Sequence, residues 1–352
     1  MIFSKKLISW YLQNKRSMPW RETTDPYRIW LSEIILQQTR VAQGLPYYLA
    51  FTEQYPTVFD LADADEEQVL KLWQGLGYYS RARNLHTTAK YVANDLNGVF
   101  PTSYKDLLQL KGVGDYTASA IASICYDEVV PVVDGNVYRV LSRYFNISTP
   151  INSTEGIKEF KKMAIQVIDP EQPATYNQAI MEFGALQCKP QNPYCIVCPL
   201  NESCESLQKG TVTSLPVKLK KLKVKKRYFN YLIFSVNDRQ TIIRQRTGKG
   251  IWQNLYEFPL IESDKDVDLE YITKHSIVKD IVGEVSYDIS VYKEEFTVHK
   301  LSHQHLYTRF YIIRTDEIPK IDEGSKLVPI DEIKEYPVPI LLGNFIDSFF
   351  KV

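Results

Sequence analysis

Four of the five cysteines, Cys188, Cys195, Cys198 and Cys204, fall in one short stretch spaced C-x6-C-x2-C-x5-C. Four thiolates brought together suit a tetrahedral zinc ion or a [4Fe-4S] cluster. Paired C-x2-C knuckles, the common zinc arrangement, are missing, and the uneven spacing favours the cluster. A disulfide network is the plain alternative, disfavoured because nothing else in the chain looks secreted. Cys125, in an apolar helical run, reads as inert core.

Two acids invite attention for a different chemistry. Glu33 is followed by Ile34-Ile35-Leu36 and then by Gln37 and Gln38. Desolvation by such neighbours raises a carboxyl's pKa and keeps it protonated near neutrality, as a general acid requires; a partly solvated or paired glutamate is the ordinary reading. Asp134 sits beside Gly135 and Asn136 just before an amphipathic helix, where it serves equally well as an N-cap. Between them lies Gly112-Val113-Gly114. Glycines on both sides permit a tight turn that exposes backbone N–H groups at a helix N-terminus, a seat for phosphate; a plain helix stop and turn is the alternative.

The elements that must hold these groups change character along the chain. Apolar residues recur at helical spacing in 29–36, 66–73, 104–110, 118–125, 137–144 and 178–186. Past residue 227 the texture is β-rich, with strand candidates at 228–236, 241–246 and 310–314. Between the two, residues 211–230 carry seven basic and no acidic side chains in a chain of zero net charge. The expected organisation is therefore a helical domain over 1–210, a basic linker over 211–227 and a β-rich domain over 228–352; a polyanion contact is a second reading of the linker. No run approaches the roughly 20 apolar residues that span a bilayer. The first residues read as a short amphipathic helix without a signal-peptide core, so a cytoplasmic protein is expected.

With Leu110-Lys-Gly-Val-Gly114, Val133-Asp-Gly-Asn-Val137 and the four cysteines in that order, the first 210 residues resemble the helix-hairpin-helix DNA glycosylase superfamily. Met18-Pro-Trp-Arg21, Ser32-Glu-Ile-Ile-Leu-Gln-Gln-Thr-Arg40 and Gly75-Leu-Gly-Tyr-Tyr-Ser-Arg-Ala-Arg-Asn84 are similar to the MutY-type adenine DNA glycosylases within it. The resemblance implies an all-α glycosylase domain with a [4Fe-4S] loop, followed by a Nudix-like α/β domain. It also implies a nucleoid-associated monomer acting on double-stranded DNA with 8-oxoguanine:A or G:A mispairs.

Site roles follow from the same resemblance. Glu33 is the acid that protonates adenine, Asp134 faces the sugar cation, and Tyr116 and Asn136 orient them. Arg16, Trp20 and Arg21 line the adenine pocket, and Gln178 suits the purine edge because a carboxamide offers both donor and acceptor. Gln37 belongs to the DNA-facing set, Gln38 fills the gap left by a flipped base, and Tyr78 wedges the opposite strand. Endonuclease III-like relatives carry a nucleophilic lysine where this chain has Tyr116, so strand cleavage is not expected. In the second domain Gly250-Ile-Trp-Gln-Asn-Leu-Tyr-Glu-Phe-Pro259 resembles a Nudix strand and turn, but the acidic Nudix box does not follow it, and binding rather than hydrolysis is expected. Leu301-Ser302-His303 is similar to the family's Phe-Ser-His lesion-reading turn, with Leu301 in place of the usual aromatic.

Overall fold

The computed structural model describes residues 2–219 and 224–351; part of the linker, 220–223, lies outside the described residues. The chain forms two compact units. One holds the residues up to Asp63 and those from Asn84 to the linker, the other Ala64–Arg83 and everything beyond the linker. The contact pattern thus departs from an uninterrupted 1–210 domain by the excursion 64–83.

Before the excursion come α1 (Ile2–Asn14), α2 (Pro26–Leu36), α3 (Val41–Gln54) and α4 (Val58–Asp63). The excursion supplies α5 (Glu66–Leu72) and the start of α6 (Ser80–Asn94). Then follow α7 (Tyr104–Leu107), α8 (Asp115–Tyr126), α9 (Gly135–Tyr144), α10 (Thr154–Val167), α11 (Pro173–Leu186) and α12 (Glu205–Gln208). The helix expected over 104–110 stops at Leu107, because the chain turns there to enter the glycine hairpin.

Local chemistry explains where the site-bearing helices begin and end. Asp25 accepts from the Tyr27 amide at 3.0 Å and Pro26 fills the first turn, so α2 starts there. Its apolar stripe, Ile29, Trp30, Leu31, Ile34 and Ile35, is buried, and Trp30 is wholly inaccessible. The chain leaves helical geometry at Gln37 and turns through Gln38 at φ +54°. The central helix α8 buries small residues, Ala118, Ser119, Ala120 and Ala122, which lets α2 and α11 approach closely. Helix α11 comes nearer still to α9: a Cβ on Gly184 would meet Asn136 Cβ at 2.6 Å.

The second unit is a mixed sheet of β1 (Lys225–Val236), β2 (Gln240–Gln245), β3 (Tyr256–Glu257), β4 (Leu260–Ser263), β5 (Asp288–Val291), β6 (Thr297–Lys300), β7 (Gln304–Thr315) and β8 (Ser325–Pro329). Its main path runs β3-β2-β1-β7-β5. Strands β1 and β7 are parallel from Lys225↔Gln304 to Val236↔Thr315, so β7 begins well before the expected Phe310. Strand alternation sends Leu232, Phe234 and Val236 toward Ile272 of α13 (Leu269–Lys274) and Val278 of α14 (Ser276–Val282). Tyr231 instead stacks on Phe310, which stacks at 4.0 Å on Phe345 of α15 (Ile340–Phe349). Among the described residues no helix is long and apolar enough to cross a membrane.

Candidate active site

An open pocket of ≈ 920 Å³ in the helical unit gathers Arg16, Trp20, Arg21, Glu33, Gln37, Gln38, Tyr116, Asp134, Asn136 and Gln178, all named from sequence. Glu33 sits on α2 among buried Ser32, Ile34 and Ile35. Burial pushes its carboxyl up to about 7, against the pull of a hydrogen bond with the Tyr116 hydroxyl; Asp134 adds to the rise and Arg21 opposes it. The Tyr116 hydroxyl also reaches Met181 Sδ at 3.1 Å. It can thus donate to Met181 while accepting from a protonated Glu33, or turn to donate to the carboxylate.

Asp134 does cap α9, and it faces the pocket as well. One oxygen accepts from the Asn136 and Val137 amides at 2.9 and 2.8 Å, the other from Asn136 Nδ2 at 2.8 Å. Burial raises its pKa, while these donors and Arg139 favour the anion. Asn136 is fixed in turn by Arg139, whose Nη2 donates to Asn136 Oδ1 at 2.8 Å and to Gly184 O at 2.7 Å. The same guanidinium donates through Nε to Cys188 O at 2.7 Å. One buried arginine therefore ties Asp134's partner to the first cysteine.

Arg16 and Arg21 line the pocket with their guanidinium groups engaged. Both grip Glu182 of α11: Arg16 Nε and Nη2 at 2.8 and 2.6 Å, Arg21 Nη1 and Nη2 at 3.1 and 2.9 Å. Burial alone would raise the Glu182 carboxyl, but the two arginines hold it down to about 2. Trp20, buried, packs edge-on against Tyr48 at 5.1 Å. Gln178 accepts from Tyr11 Oη at 2.5 Å, and Gln37 Nε2 lies 3.3 Å from Thr117 Oγ1. Gln38 is exposed at the pocket edge.

In the hairpin, Gly112 takes φ +82°, and a Cβ there would also meet Asn84 Cβ at 2.8 Å. Val113 donates back to Leu110 O at 3.1 Å, and Gly114, with open space around it, caps α8. The acid in the first turn, Asp115, is neutralised by Lys161 at 3.1 Å and bonded by the Tyr104 hydroxyl. The helix N-terminus thus keeps its preference for an anion.

In the second unit Tyr78 is exposed at φ +49°, after Gly75 and Gly77, which also have positive φ. Trp73 Nε1 donates to Gly77 O at 3.0 Å, and the Arg81 guanidinium lies over both Trp73 and Tyr78. Leu301-Ser302-His303 forms the turn between β6 and β7, closed by Leu301 N to Gln304 O at 2.9 Å. Leu301 is half-buried, while Ser302 and His303 stand exposed at the tip. The hydroxyls of Ser302 and Tyr78 are hydrogen-bonded to each other. Gly250–Pro259 leads into β3, where Glu257 is locked between Arg246 and Tyr231.

Cys188, Cys195, Cys198 and Cys204 ring one small cavity walled by Val140, Phe183, Leu200 and Leu207. Arg143 Nη1 reaches Cys188 Sγ at 3.5 Å and Lys189 O at 2.7 Å. Among the described residues no three Cys, His, Asp or Glu side chains converge on a single-ion site.

Residues 31–164 match the model of the HhH-GPD superfamily base excision DNA repair proteins, and 230–348 match the NUDIX domain. An adenine DNA glycosylase of Buchnera aphidicola subsp. Baizongia pistaciae is 33% identical over 334 residues, covering 93% of this chain and 90% of its own. The chain belongs to the adenine DNA glycosylase family. Another member of the family, from Homo sapiens, is 44% identical over 216 residues, covering 59% of this chain and 40% of its own. Among solved structures, a thermostable thymine-DNA glycosylase is 29% identical with a TM-score of 0.55, covering 59% of this chain and 96% of its own. The adenine DNA glycosylase family assignment agrees with the expected order of a helical glycosylase domain and a Nudix-like domain.

Sequence reasoning passed over Tyr11, Arg139, Met181 and Glu182. Each works through a partner distant in the chain, and the one local signal was that Met181 and Glu182 lie within a turn of Gln178 on α11.

Proposed function

We propose that this family member is a monofunctional adenine glycosylase that removes adenine mispaired with 8-oxoguanine or guanine in double-stranded DNA. The observation that carries this reading is the pair Glu33 and Asp134: two carboxyls on one pocket, one lifted to about 7 by burial, the other given three hydrogen-bond donors. Such divergent environments suit one carboxyl to acid work and the other to anionic work.

Adenine is a poor leaving group. Glu33 delivers its proton to N7, the glycosidic bond breaks with its electron pair passing to the base, and Asp134 faces the cationic sugar carbon as electrostatic partner or transient nucleophile. Water then adds to that carbon and gives its proton to the Glu33 carboxylate, restoring the acid. Tyr116 occupies the place of the nucleophilic lysine in endonuclease III-like enzymes, and among the described residues no lysine lines the pocket. The abasic strand is therefore left intact.

A base must leave the stack to enter this pocket. Gln38 and Tyr78 both hold left-handed backbone conformations, which for such residues costs about 1–2 kcal/mol and is tolerated where presentation matters. They suit the gap-filling and wedging roles. Ser302 and His303, exposed at their turn, suit the reading of 8-oxoguanine; Leu301 supplies no aromatic stacking there. The Gly112–Gly114 hairpin is the phosphate seat. The four cysteines suit a [4Fe-4S] cluster, since they enclose an apolar cavity that a larger group would fill. That group would brace the loop that Arg139 links to Asn136, without redox work in base removal. The protein acts as a monomer.

A single-turnover assay on 8-oxoguanine:A and G:A duplexes, with C-paired and T-paired adenine as controls, tests the reading. Alkali-dependent strand breaks opposite 8-oxoguanine are expected. Efficient breakage without alkali, or no base release from either mispair, would refute it.

A further inference from the structure

The pocket wall is backed by a residue that does not line it. Tyr11 of α1 is buried, and its hydroxyl donates to Gln178 Oε1 at 2.5 Å. The Arg21 guanidinium, bonded to Glu182, lies over the Tyr11 ring, 5.6 Å from the ring centre. Gln178 Nε2 has no protein partner among the described residues. We propose that Tyr11 is a specificity-determining residue acting through Gln178: it locks the carboxamide in the orientation that pairs with adenine. The proposal rests on the adenine glycosylase reading above and deepens it.

Turning the amide over would set its NH2 against the phenol and leave the buried O–H without its acceptor. A buried donor without a partner is disfavoured by more than a hydrogen bond gains in water. In the locked orientation Oε1 keeps a lone pair for an N–H of the base and Nε2 remains free to donate. Adenine's Watson–Crick edge offers one donor, N6–H, beside one acceptor, N1, leaves N7 to Glu33, and matches this pair. Hypoxanthine keeps the same N7 for Glu33 but carries O6 in place of the amino group and N1–H in place of N1, so it would set oxygen against oxygen and donor against donor. A site built to hydrogen-bond one group rejects the analogue lacking it, provided the site cannot rearrange. Tyr11 is what prevents the rearrangement.

The test measures single-turnover release of adenine and of hypoxanthine placed opposite 8-oxoguanine. In Tyr11→Phe the adenine-to-hypoxanthine ratio should fall about tenfold, the worth of one hydrogen bond. In a Gln178→Ala background the same change should leave the ratio where it was. Site-specific 3-fluorotyrosine at position 11, a stronger donor of nearly the same shape, should keep or raise the ratio, and it serves if Tyr11→Phe does not fold. An unchanged ratio in folded Tyr11→Phe, an equal loss in both backgrounds, or a ratio lowered by 3-fluorotyrosine would overturn the proposal. If the unmodified protein releases neither base, the adenine reading itself fails; release of adenine with ratios insensitive to Tyr11 defeats only this inference.

Discussion

Glu33→Gln should damage catalysis and strengthen the fold, with the second effect appearing only above mildly acidic pH. The Glu33 carboxyl is lifted from an ordinary 4.5 to about 7 by burial. Between those values the unfolded chain has released a proton that the native state keeps, so native stability falls as pH rises through this window and stays low beyond it. At ~1.4 kcal/mol for each tenfold change in proton affinity, the accumulated penalty is about 3 kcal/mol, less some solvent screening because the side chain is only partly buried. Glutamine keeps the shape and never ionises. Thermal unfolding of the helical unit, followed by circular dichroism, should show equal midpoints for the two proteins near pH 4.5. At pH 8 glutamine should be higher by roughly 4–10 °C, using ~2–4 °C per kcal/mol for a unit of this size. Base release should drop by at least about 10² with DNA binding retained, and the native rate should decline as pH rises past about 7, because the protonated form does the work. If the two proteins have the same midpoint difference at both pH values, Glu33 is not protonated by its surroundings. An active glutamine variant would remove it from the chemistry altogether.

Asp134→Asn should keep most of the α9 cap and lose activity, whereas Asp134→Ala should lose activity and about 1 kcal/mol of stability as well; unfolding curves of the two variants separate capping from catalysis. Glu182, held at about 2 by Arg16 and Arg21, contributes stability that is present above its ordinary pKa and lost as pH falls from 4.5 toward 2. Glu182→Gln should therefore be destabilised by about 3 kcal/mol at neutral pH and lack that acid slope, as denaturant titration at several pH values will show. Ser302→Ala with His303→Ala should narrow the preference for 8-oxoguanine:A over G:A while leaving G:A rates nearly unchanged; intact discrimination would end the lesion-reading role. Protein purified without oxygen should contain iron and acid-labile sulfide in equal amounts, and stoichiometric zinc would overturn the cluster assignment.

The pocket was legible where its chemistry is written in contiguous strings. Glu33 announced itself by the apolar residues after it, Asp134 by a cap position, and the cysteines by spacing. What stayed hidden depends on pairs that only the fold creates. Asp134 offered two readings in sequence, cap or pocket carboxylate, and the structure places it in both roles because the α9 N-terminus opens onto the cavity. Arg16 and Arg21 were expected only as lining of the adenine pocket; they do line it, yet their guanidinium groups are committed to Glu182, more than 160 residues away. Strand texture located β1 and β2 well but understated β7, because its first half, from Gln304 to Arg309, is rich in polar side chains. The excursion 64–83 had no signature, since its helices look like the others and only their contacts place them with the sheet.

That excursion has a practical meaning for interpreting variants. Tyr78 and Ser302 lie 224 residues apart yet stand on one body. The segment carrying Tyr78 is pinned there by Arg83 Nη1 to Gln253 O at 2.8 Å, Asn254 Nδ2 to Glu66 at 2.5 Å and Tyr79 Oη to Val338 O at 3.3 Å. Inherited or engineered changes near Gln253, Asn254 or Val338 would slacken the segment that carries Tyr78, the proposed wedge, without altering a residue that lines the Glu33 pocket. Ranking substitutions only by whether they line the Glu33 pocket would dismiss them as harmless.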